Sequence, residues 1–283
     1  MIIIVDGGST KVEWQIIDRS NDVDMKIYTT GFNPYYHDRS LFEKSAREVA
    51  QKINPSTPEA VYYYGTGCSS DATKAIIADV LGQVFPHGSF YVEHDLIASA
   101  RALFKNKPGL ACILGTGSNS CLYDGNDIIE NVPSIGWMIG DEGSGTYLGK
   151  MLITDYMRFQ MPDEIRYSFE KGNDLNFEKV LNIMYSQQDP NNFFAKFPKY
   201  IGQHLDEEYY RNLVLKNFED FYTYQISKYT DFGNYELGFV GSIAYHFSDI
   251  LRLWGQNNGL KIGKIYKAPM EGLVEYHDTI KVL

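Results

Sequence analysis

The sequence predicts an α/β fold built twice, and three observations carry that prediction. Two short apolar runs, Ile2–Val5 and Leu110–Leu114, each end in a small-residue turn, Asp6-Gly7-Gly8 and Gly115-Thr116-Gly117. Each turn leads into two further strand-like segments and then a helix-patterned one. The layout recurs without the sequence recurring, so the architecture is what is duplicated.

The elements follow in order. Ile2–Val5 reads as a buried strand entering a tight turn. Val12–Ile17 and Val23–Thr30 continue it as an antiparallel meander. Leu41–Ile53 has helical spacing of apolar positions, and Asn54-Pro55 ends it. Ala60–Tyr64 is a strand, Asp71–Leu81 a helix, Phe90–Val92 a strand and Asp95–Phe104 a helix. The turn-prone stretch Lys105–Gly109 is the expected boundary, giving domains 1–108 and 109–268. In the second half Leu110–Leu114, Asn119–Tyr123 and Ile128–Val132 are strands, with Asp124-Gly125-Asn126 as a hairpin turn. A helix is expected from Gly143 to Arg158, then an aromatic-rich, mostly helical insertion over 165–235. Those aromatics read first as core packing and second as a ligand wall. Leu237–Val240 is a strand running into Gly241-Ser242 and a helix to Trp254. Lys264–Lys267 is a last short strand, and a helix from Pro269 closes the chain.

At 283 residues, with about 150 per domain, two domains are expected. Acidic residues number 36 and basic residues 26, a net charge of −10. That balance argues against a nonspecific nucleic-acid binder, which needs a basic footprint. It leaves small phosphate ligands open, because glycine turns, helix N-termini and a metal ion hold phosphate without net positive charge. The three cysteines, Cys68, Cys112 and Cys121, do not have metal-ligand spacing. No basic segment with a long apolar stretch opens the chain, and no apolar run approaches the roughly 20 residues that cross a bilayer. The expectation is a soluble, cytoplasmic protein that binds neither nucleic acid nor membrane.

The P-loop, the dinucleotide glycine fingerprint, the paired zinc histidines and the serine nucleophile elbow are all absent. Five other segments stand out. In Asp6-Gly7-Gly8-Ser9-Thr10-Lys11 the glycines let the backbone approach a phosphate, Ser9 and Thr10 offer hydroxyls and Lys11 a cation. Asp6 at the strand end is suited to Mg²⁺. A plain glycine hairpin is the simpler reading of the same residues. Gly115-Thr116-Gly117-Ser118-Asn119-Ser120 occupies the equivalent turn of the second half. Two such turns, facing each other across a cleft, would grip a polyphosphate from both sides. Asp95, at a strand end before a helix, reads equally as a helix N-cap and as a general base. Gly140-Asp141-Glu142-Gly143-Ser144-Gly145 reads as carboxylates favoured by a helix dipole or as a binder of sugar hydroxyls. Gly241-Ser242 reads as a tight strand-to-helix turn or as a glycine that lets adenine or ribose approach.

Taken in order, Asp-Gly-Gly-Ser-Thr, Gly-Thr-Gly-Ser-Asn and Gly-Asp-Glu-Gly-Ser resemble the N-acetylglucosamine kinases of the BadF/BadG/BcrA/BcrD ATPase group. That group lies in the actin, sugar kinase and Hsp70 superfamily. The resemblance spans nearly the whole chain and is weakest in the insertion. It implies two ribonuclease H-like (actin-like ATPase) domains flanking a cleft, with the terminal helix 269–283 packed back on the first. It implies ATP and Mg²⁺ as cofactors, a small sugar as substrate and a homodimer. The implied reaction is phosphorylation of a sugar hydroxyl, N-acetylglucosamine to its 6-phosphate.

By that resemblance, Thr10 and Thr116 match positions on the ATP phosphates, within turns that include Gly8, Ser9, Lys11, Gly115 and Gly117. Asp6 matches the residue associated with Mg²⁺. Asn33 and Asp141 match sugar-binding residues, and Asp95 the proton acceptor. Gly241 and Ser242 match the adenosine contact. One departure stands out. The animal-type family carries Gly-Trp-Gly before its Gly-Asp-Glu-Gly, whereas here the stretch is Ser134-Ile135-Gly136-Trp137. Only Gly136 matches. Trp137 reads as a replacement stacking surface or as core. A BadF-type ATPase activator and a noncatalytic sugar sensor are the alternatives. The dispersed cysteines do not support the activator's iron–sulfur cluster, and the sensor should have lost Asp95 or a phosphate turn.

Overall fold

The computed structural model describes residues 1–53, 55–185 and 190–280. Asn54, expected to end the first helix, and residues 281–283 of the expected terminal helix lie outside them. The chain divides into two compact units, Met1–Lys105 with Pro269–Leu283, and Asn106–Ala268.

In the first unit, β1 (Ile2–Gly7), β2 (Lys11–Asp18) and β3 (Val23–Thr30) form the meander. Helix α1 (Arg39–Ile53), β4 (Ala60–Gly65), α2 (Asp71–Val84), β5 (Ser89–His94) and α3 (Asp95–Phe104) follow. The sheet order is β3-β2-β1-β4-β5. β1 pairs antiparallel with β2 and parallel with β4, and β4 pairs parallel with β5. The parallel register sets Gly7 beside Gly65 and Gly65 beside His94, so three strands end together. Residues at such ends are the natural place for a ligand in a sheet of this kind.

Apolar side chains fill the core of this unit. Trp14 stacks on Phe42 at 5.9 Å between ring centres, and Phe42 meets Tyr63 edge-on at 5.3 Å. Tyr63 is fully buried, and its ring fills the space over Gly7 and Gly65; a Cβ on either glycine would overlap it. The C-terminal helix α12 (Met270–Ile280) packs on α3 and β1. There Glu275 meets Lys105 at 2.9 Å, and His277 meets the buried Tyr64 hydroxyl at 2.9 Å.

The second unit repeats the plan. β6 (Gly109–Leu114), β7 (Ser118–Tyr123) and β8 (Ile128–Glu130) form a second meander, the last strand shorter than the sequence predicts. After α4 (Gly145–Met157) come α5 (Asp163–Asn173), α6 (Phe177–Tyr185), α7 (Pro190–Phe194), α8 (Phe197–Gly202) and α9 (Glu208–Tyr224). Then β9 (Leu237–Val240), α10 (Ser242–His246), α11 (Ser248–Asn257) and β10 (Ile262–Tyr266) complete it. The order β10-β9-β6-β7-β8 reproduces the first sheet: third, second, first, fourth, fifth strand of its set, read from the meander edge. β6 pairs antiparallel with β7 and parallel with β9.

The insertion aromatics are mainly core. Phe169, Phe194, Phe197, Tyr210, Phe218 and Phe221 join the strand residues Leu110, Leu114 and Phe239 in one cluster. Other boundaries differ from expectation. Helix α4 starts at Gly145 rather than Gly143, because the Ser144 side chain accepts the Tyr147 amide as its N-cap. The helix expected from Ser242 to Trp254 is two, broken at the buried Phe247, whose amide closes α10 on Ile243 O at 3.1 Å. The last strand lies at Ile262–Tyr266 rather than 264–267.

Candidate active site

The first unit holds seven of the expected residues: Asp6, Gly8, Ser9, Thr10, Lys11, Asn33 and Asp95. The turn after β1 is a two-residue hairpin, closed by Gly8 N donating to Lys11 O at 3.1 Å. It is laced to the loop after β3. Gly31 N donates to Thr10 O at 3.2 Å, Phe32 N to Gly8 O at 3.1 Å and Asn33 Nδ2 to Ser9 Oγ at 3.3 Å. Turn and loop are therefore one braced structure. Asn33 is only 1% exposed. Its amide also donates to the Tyr36 hydroxyl at 3.0 Å, and its oxygen accepts Tyr35 N at 3.0 Å. Thr10 is exposed, and so is Lys11, which lies over the Tyr28 ring at 4.2 Å.

Asp95 opens α3. It is not the N-cap: that position is His94, whose Nδ1 is 3.2 Å from the Leu96 amide. Asp95 is left free for other partners. Its Oδ2 accepts from Thr66 Oγ1 at 2.9 Å, and its Oδ1 lies 3.0 Å from His94 Nδ1. Burial alone would raise the Asp95 carboxyl. The His94 hydrogen bond and charge, with Thr66 and the Leu96 amide, outweigh burial and hold it below the ordinary carboxylate range. Asp6 is the reverse case. Burial first, then the charges of Asp95 and Glu13, push it up to about 7 against a lowering contribution from Lys11.

A carboxylate so short of positive charge fits a cation. Among the described residues no three His, Cys, Asp or Glu side chains assemble into a metal site. Asp6, with the charges of Asp95 and Glu13 near it, is the residue of this unit that could hold a cation.

In the second unit the other expected residues form two groups. The Gly115–Gly117 turn is closed by Gly115 N donating to Gly117 O at 3.0 Å. The head of α4 braces it, with Gly145 N on Gly115 O at 2.8 Å and Thr146 N on Thr116 O at 3.2 Å. Gly241 has φ 128°, and a Cβ there would run into the Leu114 carbonyl and come within 2.9 Å of Gly115 N. Only glycine lets β9 turn into α10 against the end of β6.

Together these parts line a cavity of about 420 Å³. Gly115, Thr116, Gly145 and Ser242 lie on its wall, and Pro198, Lys199, Gly202, Ile243, His246 and Phe247 are among its other lining residues. The ligand-wall reading of the insertion fell on its aromatics, whereas α8 lines the cavity through Pro198, Lys199 and Gly202.

Asp141 forms the second group. It has a left-handed backbone (φ 61°) and lies outside α4, so it is no helix-dipole carboxylate. Its Oδ1 accepts from Ser134 Oγ at 2.8 Å, and the Ser118 amide also bonds it. A Cβ on Gly117 would stand 2.8 Å from Asp141 Oδ2, so the carboxylate lies against the turn. Burial raises the Asp141 pKa, opposed by these hydrogen bonds and by Lys150. Gly136 sits in the exposed loop before it, next to Ile135, which is 57% exposed. Trp137 is half-buried against the main cluster, and its carbonyl accepts from Lys150 Nζ.

Two sheets of the same strand order, each ending in a small-residue turn, define the class: this is an actin-like ATPase fold of the sugar-kinase kind. A solved structure from Porphyromonas gingivalis, provisionally named an N-acetylglucosamine kinase, matches it with a TM-score of 0.90 at 37% identity, over 99% of each chain. The chain belongs to the N-acetylglucosamine kinase-like family of this superfamily. A second provisionally named N-acetylglucosamine kinase, from Chromobacterium violaceum, has the same fold at 14% identity and a TM-score of 0.71, over 97% of this chain and 98% of its own. So does a ROK family glucokinase from Streptomyces griseus, solved with glucose and AMPPNP, at 13% identity and a TM-score of 0.54, over 98% of each chain. No family model matches the chain, and no curated protein does. Among the described residues no helix is long and apolar enough to cross a membrane.

Proposed function

We propose that the protein is an ATP-dependent sugar kinase that converts N-acetylglucosamine to N-acetylglucosamine 6-phosphate in the cytoplasm. Met1–Lys105 with the C-terminal helix supplies the proton acceptor Asp95 and the metal residue Asp6, and Asn106–Ala268 supplies the nucleotide cavity. The observation that most supports this is the cavity of about 420 Å³, which falls in the size range of small-ligand sites. One wall comes from the Gly115–Gly117 turn, suited to phosphate. Another comes from Ser242 and Ile243, suited to a nucleoside. The name of the Porphyromonas gingivalis relative, 37% identical from end to end, supports the sugar.

In this reading the turns at Gly8–Lys11 and Gly115–Gly117 receive the phosphates. Asp6 would hold Mg²⁺, which would supply positive charge to the phosphates. Asn33, Gly136 and Asp141 orient the sugar. Asp95 accepts the proton of the attacking hydroxyl as that oxygen bonds to the γ-phosphorus and the bond from phosphorus to the bridging oxygen breaks, releasing ADP. Positioning and charge neutralisation account for most of the acceleration. A coupled ADP-release assay tests this with Mg-ATP against N-acetylglucosamine, glucosamine, glucose and N-acetylmannosamine. ADP release that depends on N-acetylglucosamine is expected. Release with another sugar alone moves the substrate, and no sugar-stimulated release overturns the kinase reading.

A further inference from the structure

His94 places one ring nitrogen between two partners. Its Nδ1 is 3.2 Å from the Leu96 amide nitrogen and 3.0 Å from Asp95 Oδ1. One nitrogen cannot serve both. A bare Nδ1 accepts the Leu96 N–H but turns its lone pair toward a carboxylate oxygen. A protonated Nδ1 donates to Oδ1 and leaves the Leu96 N–H to the Asp95 carboxylate, which that amide also bonds. With Asp95 ionised, the second arrangement puts a hydrogen on the 3.0 Å line to Oδ1 in place of two facing lone pairs, and it gives up the Leu96 N–H bond that a bare Nδ1 accepts. Thr66 already holds the other oxygen at 2.9 Å.

We propose that His94 is a positioning residue for Asp95, its Nδ1–H fixing Oδ1 while Thr66 fixes Oδ2, so that the carboxylate keeps one orientation and one free lone pair for the acceptor hydroxyl. This rests on Asp95 as the proton acceptor. A carboxylate that rotates freely would offer the hydroxyl the right lone pair only part of the time. The charged groups facing His94 are Asp95, Glu93 on its own strand and Lys74 from α2, which itself pairs with Glu93 at 2.6 Å. Burial and Lys74 oppose a charged imidazole, but Asp95 outweighs them and raises the His94 pKa.

The test separates this role from helix capping. His94→Asn supplies an acceptor for the Leu96 N–H, as a bare Nδ1 does, but offers Asp95 no cation. His94→Ala loses both. For His94→Asn we expect kcat to fall about tenfold with the KM for ATP unchanged. The acid limb of its pH profile should move to higher pH, because Asp95 loses a group that holds its pKa down. Wild-type kcat with an unmoved acid limb would overturn the proposal. Nitrogen-15 NMR of the wild-type histidines decides it without any variant: a bare Nδ1 on His94 at pH 7 overturns it, and a protonated one supports it. Asp95→Asn is the control. Full turnover in that variant removes the proton-acceptor reading itself, whereas an inactive Asp95→Asn beside a wild-type-like His94→Asn removes only the role of His94.

Discussion

Asp6→Asn should make the ligand-free protein more stable while abolishing its proposed turnover. The Asp6 carboxyl titrates at about 7 rather than 3.8, some three units high. At about 1.4 kcal/mol per unit, that is about 4 kcal/mol of penalty for ionising it in the folded state. Partial exposure and the neutral amide's own burial reduce the net gain to about 2 kcal/mol. The sign follows from linkage. A carboxyl whose folded pKa is raised costs nothing below the unfolded value, costs more as pH rises from 3.8 to 7, and costs its full amount above that. Thermal denaturation of both proteins without metal or nucleotide is the assay. The variant should melt about 4 °C higher at pH 8, with the gap shrinking by half or more at pH 5. A gap that does not change with pH, or a variant less stable at both, would refute the reasoning.

Other outcomes follow from the same geometry. Asp95→Asn should lower kcat by about 10² to 10⁴ while leaving ATP affinity, measured by calorimetry, nearly intact. Asn33→Ala removes a buried amide that joins Ser9, Tyr36 and Tyr35. It should raise the KM for sugar and cost about 1–3 kcal/mol in urea unfolding, and an unchanged KM would remove Asn33 from the acceptor site. Gly241→Ala forces a Cβ into the Leu114 carbonyl. It should cost about 1–3 kcal/mol or more and weaken ATP binding more than sugar binding, read by equilibrium titration of each ligand. Ile135→Trp, which introduces the tryptophan of the animal-type resemblance, should favour N-acetylglucosamine over glucose in kcat/KM; an unchanged ratio would show that this position does not read the acetamido group.

Much of the fold was legible because its punctuation is local. The turns after Asp6 and Leu114 break apolar runs with glycines, and the hairpin register follows directly from them. What escaped was non-local. Thr66 reaches Asp95 only because β4 and β5 run parallel with Gly65 beside His94, a pairing no local pattern encodes. The capping role fell to His94 because its ring reaches Leu96 N as a shorter Asx side chain would, and the sequence offered Asp95 as the usual residue for it. The break at Phe247 carries no glycine or proline; a buried ring there ends α10. Helix α8 lines the cavity from inside a segment whose aromatics are mostly core, so composition could not separate wall from filling.

The ring of Tyr63 occupies the room that side chains at Gly7 and Gly65 would need. Three positions on two strands, more than fifty residues apart, therefore share one allotment of space. Neither glycine can drift toward alanine while the tyrosine stays, and the tyrosine cannot shrink without leaving a void beneath the turn. Across descendants of this chain the three should change together or not at all. An aligned set of relatives should show a joint exchange, with small residues at 63 accompanying larger ones at 7 or 65, and this triplet would mark lineages in which the turn after β1 has been rebuilt.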